Sequence, residues 1–188
     1  RNQKLQLISR FYLDKALNGI GNRNNESYQI YNDLRYFNEF GNIFNFVGGL
    51  TNRQMIVRAN ALRALKGLRH PEALKPGLAA LQDPEPEVRM QAVGVLGYLQ
   101  MEEALHALIL AGRDPDIEVR RAAIGALAFS NSSAVSEALI KAISDEAWRV
   151  REMAAETIGK LKFADGTDAL MSVTEDEYWQ VRLQSVRS

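Results

Sequence analysis

The sequence predicts an all-α protein, a right-handed α-solenoid of antiparallel helix pairs. Three observations carry that expectation: a dipeptide returning at one fixed interval, an apolar stripe at helical spacing behind it, and turn residues in the two places where a helix pair must bend. The dipeptide is Val-Arg, at Val57-Arg58, Val88-Arg89, Val119-Arg120, Val150-Arg151 and Val181-Arg182, each 31 on from the last without slippage. Five residues ahead of the last four valines stand Asp83, Asp114, Asp145 and Asp176, and Asn52 takes that place ahead of the first.

The stripe begins at the valine. Four residues on come Ala61, Ala92, Ala123, Ala154 and Ser185, and four further Leu65, Leu96, Leu127 and Ile158. Residues at i, i+4 and i+8 share one helix face, and a small residue at its centre lets a neighbouring helix approach closely. This is the first helix of each pair. A second apolar set predicts the other helix: Leu74, Leu78 and Leu81, then Leu105, Leu108 and Ile109, then Leu139, Ile140 and Ile143, then Leu170, Met171 and Val173. The bend inside a pair falls at Arg69-His70-Pro71, at 130–133 and at Ala164-Asp165-Gly166, and the bend between pairs at 83–86 and 114–116. Proline suits a first helical turn, and acidic side chains favour the positive helix start. Two helices and two tight turns use up the period, leaving nothing for a sheet.

One such pair cannot bury both faces, so neighbours must stack. The pattern Asp-x-x-x-x-Val-Arg-x-x-Ala-x-x-x-Leu, which covers residues 52–188 with the last repeat incomplete, resembles the HEAT-like repeats of the phycobilisome-lyase type. That resemblance implies a fold of stacked helix pairs. It also raises an alternative activity, that of a bilin lyase or isomerase, or a related chromophore-protein chaperone.

The Asp and Arg columns are expected to form an inter-repeat ladder. Each aspartate would cap the start of a first helix, while Arg58, Arg89, Arg120, Arg151 and Arg182 bond neighbouring aspartates and free carbonyl groups. The competing reading is an anion-binding row. A feature present in every repeat is better explained by stacking, which every repeat shares.

Residues 1–51 lack the Val-Arg mark but keep the phase, since Leu34, Phe37, Ile43, Val47 and Leu50 fall one period before apolar positions of the next repeat. The expectation is an N-terminal capping helix over 4–17 followed by a divergent repeat. Aromatic residues cluster here, Tyr28, Tyr31 and Tyr36 among them, either to close the end of the core or to hold a partner. Trp148 and Trp179 align with Met55, Pro86 and Ile117 near the starts of first helices. They read as apolar contacts across the inter-repeat turn or as binding anchors.

Composition narrows the function. Lys plus Arg and Asp plus Glu each number 23, so the chain has no net field with which to hold a polyanion. There are no cysteines, which excludes disulfides, thiolate metal sites and cysteine nucleophiles. The two histidines, His70 and His106, lie out of phase with the repeat, and no His-Glu dipeptide of the kind that HEAT-like di-iron enzymes repeat is present. No phosphate loop, nucleophile elbow or catalytic triad is visible, so no catalytic residue, metal or cofactor is expected. No apolar run reaches membrane-spanning length and no signal peptide leads the chain, which reads as soluble and cytoplasmic. It opens at Arg1 and stops at Ser188 inside a repeat, so both ends read as cuts. A protein-binding scaffold follows as the expected function, with the second helices lining the inner curve. The partner would meet Lys75, Gln82, Glu103, His106, Glu137, Lys141 and Asp168. Neither nucleic acid nor membrane is expected as partner.

Overall fold

The computed structural model describes residues 50, 51, 53 and 55–188, which belong to one unit, Gly49–Ser188. The N-terminal expectations, including Tyr28, Tyr31, Tyr36, the capping helix and the divergent repeat, lie outside the described residues. Within them the chain is helical and contains no strand. The first helices are α1 (Met55–Leu68), α3 (Pro86–Leu99), α5 (Ile117–Ala126), α7 (Trp148–Leu161) and α9 (Trp179–Arg187). The second helices are α2 (Leu74–Ala80), α4 (Glu102–Ala111), α6 (Ser133–Ala142) and α8 (Gly166–Ser172). Single 3-10 turns, Pro71–Ala73 and Leu127–Phe129, lead into α2 and follow α5.

The helices form two rows. Each first helix packs on the first helix of the next repeat, and each second helix packs on a first helix and on the second helix that follows. This is an α-solenoid.

The core lies between the rows, where the valine-led stripe points. Val88, Val119, Val150 and Val181 are buried, as are Ala92, Ala123 and Ala154 and the larger Leu65, Leu96, Leu127 and Ile158. The small residues allow close crossings. A methyl group added at Gly97 would stand 2.6 Å from the Ala126 Cβ, so α3 and α5 touch there through backbone and methyl surface. Three of the first helices end on a left-handed residue, Arg69, Gln100 and Lys162, with φ of 55°, 52° and 51°. The last two donate their N–H back to the carbonyl groups of Leu96 and Ile158. That bond closes the helix and turns the chain toward its second helix.

The second helices differ from expectation in what they bury. Leu108, Leu139, Ile143 and Val173 are inside, but Ile140 and Met171 are exposed, Met171 by 65%. Their predicted places are taken by small residues: Ala73, Gly77, Ala104, Ala111, Ala142 and Ala169 are buried. These helices run only seven to ten residues and lie close against the first row. Their inward face therefore has room for methyl groups and few longer side chains.

Adjacent first helices also cover one another's outward positions. Interior outward positions of the first helices, such as Glu87, Gln91, Gly94, Glu118, Ala122 and Gly125, are half-buried by their neighbours. Ion pairs Arg63–Glu87 and Arg149–Glu118, each 3.0 Å, tie adjacent first helices together.

Candidate functional site

Each repeat is joined to the next by one guanidinium. Arg58 donates to Asp83 through Nε at 2.7 Å and Nη2 at 2.8 Å, and Arg89 donates to Asp114 at 2.7 and 2.7 Å. Arg120 reaches Asp145 at 2.9 and 3.0 Å, and Arg151 reaches Asp176 at 2.6 and 2.8 Å. The planar fork matches both carboxylate oxygens at once, which a lysine cannot do. Nη1 turns back toward the arginine's own repeat. In Arg89 it donates to the carbonyl groups of Asp83 and Pro84, in Arg120 to Asp114 and Pro115, in Arg151 to Asp145 and Glu146, and in Arg182 to Asp176 and Glu177.

The aspartates are not the helix caps. The N-cap residues are Glu85, Asp116, Ala147 and Tyr178, two positions later. Each aspartate accepts the N–H of that later residue at 2.8 to 3.0 Å, forming a turn that aims its carboxylate at the preceding repeat's arginine. Bonding to Arg58 holds the Asp83 carboxyl below its ordinary range, and Arg151 does the same for Asp176. At Asp114 burial pushes upward, but the bonds from Arg89 and from the Asp116 N–H outweigh it. Nε, Nη1 and Nη2 of each of the first four arginines donate within the protein, which commits these side chains to the stacking of the repeats.

The outward face of the second helices is a grid in step with the repeat. Lys75, His106, Glu137 and Asp168 occupy one column at 31-residue steps, and all four are exposed. The expected Glu103 belongs to a column with Glu72, Ala134 and Asp165, Lys141 to one with Ala79, Leu110 and Ser172, and Gln82 to one with Arg113, Ser144 and Glu175. Every one of these positions is exposed. Arg113 and Leu110 do not stand out in the sequence, although one period counted from Gln82 and Ala79 finds them. Two grooves repeat in the same phase: one of about 330 Å³ walled by Leu78, Leu81, Ala107 and Leu110, the next of about 270 Å³ walled by Ile109, Ala138, Arg113 and Lys141.

Trp148 and Trp179 part company. The Trp148 ring stacks on Tyr178 with centroids 5.6 Å apart and planes 15° apart, while Trp179 is 60% exposed. His70 accepts the Glu72 N–H through Nδ1 and starts the turn into α2, and His106 is exposed on α4. Among the described residues no group of three His, Cys, Asp or Glu could hold a metal, and no helix is long and apolar enough to cross a membrane.

Stacked helix pairs joined by an arginine ladder define a helical-repeat protein. The profile of HEAT repeats matches residues 49–128 and 106–188, and the chain belongs to the HEAT-repeat family. Among solved structures it is similar to the complex of CpcE and CpcF of phycocyanin lyase from Nostoc sp. PCC7120, with TM-score 0.66 and 22% identity over 76% of this chain. It spans 61% of the length of that lyase chain. A designed armadillo repeat protein in complex with the peptide (KR)4 is similar with TM-score 0.59 and 22% identity, over 99% of this chain and 92% of that one. An engineered protein is similar with TM-score 0.53 and 19% identity, over 85% and 81%. A search of curated proteins finds no match.

Proposed function

We propose that the chain is a protein-binding scaffold whose partner lies along the second-helix row. One observation carries the reading: the four outward columns of that row are exposed in every repeat, with acidic, basic and apolar side chains interleaved. A rigid, periodic surface of mixed character suits a protein partner, because a phosphate backbone asks for clustered cations. Lys75, Gln82, Glu103, His106, Glu137, Lys141 and Asp168 are its proposed contacts, with Arg113 and Leu110 beside them. The ladder beneath keeps the columns in register. Proximity labelling in the native cell, repeated with Glu137→Lys and Lys141→Glu introduced together, tests the proposal. Loss of specific protein neighbours in the variant supports it, whereas recovery of nucleic acid, or of the same proteins from both forms, would count against it.

A second reading, a bilin lyase or isomerase or a related chromophore-protein chaperone, is favoured by the likeness to the phycocyanin lyase complex. Mixing the chain with a bilin and a phycobiliprotein and recording absorbance separates the two. A shift of the visible band on mixing supports lyase activity, and an unchanged spectrum removes it.

A further inference from the structure

We propose that the two grooves of the second-helix row take side chains of one extended acidic segment of the partner protein, an apolar side chain in the first groove and a carboxylate in the second. The inference rests on the scaffold reading above and says what that row binds. The first groove, about 330 Å³, opens between α2 and α4, and the second, about 270 Å³, between α4 and α6. They are one cleft repeated a period apart, since Leu78, Ala107 and Leu110 of the first return as Ile109, Ala138 and Lys141 of the second. Both α4 and α6 have a second helix on either side, so the exposure of Leu110, Arg113 and Lys141 belongs to the row itself.

Charge tells the two grooves apart. In the first, every charged group of the lining belongs to a rung, Arg89 with Asp114 and Asp83 with Arg58. What it presents to a ligand is apolar wall, Leu78, Leu81, Ala107 and Leu110, the last 52% exposed. The second groove holds its own rung, Arg120 with Asp145, and adds Arg113 and Lys141. Neither of these two cations forms an ion pair among the described residues, and Glu137, one turn before Lys141, is no exception. A cation in a last helical turn complements the helix dipole, which accounts for Lys141 alone. Two cations from adjacent repeats on one cleft repel each other until an anion joins them. Ile109, Ala138 and Ala142 beside them suit the methylene groups of an acidic side chain. A nucleic-acid backbone would need such cations in repeat after repeat, and the first groove has none outside its rung.

Spacing fixes the conformation of the segment. Packed helices lie about 8 to 10 Å apart, and one turn of a polyproline II chain, three residues, rises about 9.3 Å and returns the side chain to the same face. An apolar residue and an acidic one three positions apart therefore enter neighbouring grooves together. A β-strand would point the second of them away.

The probe is a blocked, fluorescein-labelled peptide, Gly-Glu-Pro-Pro-Leu-Pro-Pro-Glu-Gly, in which a glutamate stands one polyproline turn to either side of the leucine, so that both chain directions are served. Its anisotropy should rise on titration with the chain and saturate. Glutamine in place of both glutamates should weaken binding about tenfold or more. Arg113→Glu with Lys141→Glu should weaken the parent peptide as much, yet bind the peptide that carries lysines in those places, an exchange that loss of structure cannot produce. Leu110→Ser should weaken binding about fivefold, the scale of one partly exposed leucine contact. Circular dichroism checks that each variant is folded. Equal affinity for the glutamate, glutamine and lysine peptides, absence of saturable binding, or tighter binding of a mixed-sequence single-stranded oligonucleotide overturns the inference. If the peptide fails while Glu137→Lys with Lys141→Glu still loses protein neighbours in the cell, the scaffold stands and the acidic segment alone is removed.

Discussion

Arg120 meets Asp145, 25 residues away, through two parallel hydrogen bonds of 2.9 and 3.0 Å, and both side chains are nearly buried, at 9% and 14% exposure. The pair is the third of four such rungs among the described residues, and the ladder repeats in the neighbouring helix pairs with almost unchanged geometry. Removing one partner leaves the other charge desolvated without compensation. Arg120→Ala is expected to destabilise the fold by about 3 kcal/mol, the lower end for breaking a buried ion pair. Arg120→Lys should recover little of that, because an ammonium cannot bond both oxygens and two carbonyl groups in one plane. Urea unfolding of both variants checks this. A lysine variant as stable as the parent would show that charge alone, without the fork, holds the rung.

The ladder also sets a pH dependence. Asp83, Asp114 and Asp176 have folded pKa values below their unfolded ones, for which about 3.9 is the reference. Each therefore contributes stability that is fully present above the unfolded value and lost as pH falls through the folded one. The urea midpoint should stay level across neutral pH and fall steadily below about pH 4, where these carboxylates begin to take up protons. Asp114→Asn should lower the midpoint at neutral pH and make the acid limb shallower. An acid limb identical in the variant would place the dependence elsewhere.

Leu96 is fully buried between rows, with its side chain against Gly77 of α2. Leu96→Ala is expected to cost about 2 to 5 kcal/mol through lost transfer energy and the cavity left behind. A loss below about 1 kcal/mol in denaturant melts, well under the range for a buried leucine, would mean that the layer can collapse to fill the space.

At Gly97 the gain in helix propensity from alanine, about 1 kcal/mol, opposes a steric clash. The added methyl group would lie 2.6 Å from the Ala126 Cβ, nearer than two carbons can rest, so α3 and α5 must separate. Overpacking of this kind costs about 1 to 3 kcal/mol, so Gly97→Ala should be net destabilising by thermal melt. Pairing it with Ala126→Gly should restore part of the loss, since the methyl groups then exchange places.

Met171→Ser tests the burial pattern of the second helices from the other side. Met171 is 65% exposed, so the substitution should stay within about 0.5 kcal/mol of the parent in the same melts. A larger loss would show the side chain packing inward.

The fold is readable because its strongest signal is periodic, and one interval kept from Val57 to Val181 leaves the helices a single phase. The first-helix stripe is legible for a second reason: Val, Ala and Leu at i, i+4 and i+8 place large side chains on one line of a long helix. The second helices give less away. In seven to ten residues, leucine and isoleucine fall on nearly every side, and the buried face is marked by alanines, which a search for large apolar groups passes over. That is why the pattern points Ile140 and Met171 inward and leaves Ala104, Ala142 and Ala169 unremarked. The aspartates read as caps because Asp is a good cap in general. Here the following turn moves the cap two positions on, and what the carboxylate bonds lies in the preceding repeat, beyond any local pattern. Arg113 and Leu110 are within reach of the period and go unnoticed because their neighbours in the column, Gln82 and Ala79, carry no charge or bulk. The chemistry of the surface changes from repeat to repeat while its geometry does not.

Because each rung asks only for the same arginine before it and the same aspartate after it, the chain can be edited in whole periods. Excising residues 89–119 joins Val88 to Arg120, whose fork already holds Asp145 and whose Nη1 then finds the carbonyl groups of Asp83 and Pro84 in place of Asp114 and Pro115. The splice leaves no seam in the bonding. Length is thus a freely adjustable property of this protein, inherited in steps of one module, while the side chains each module displays are free to diverge.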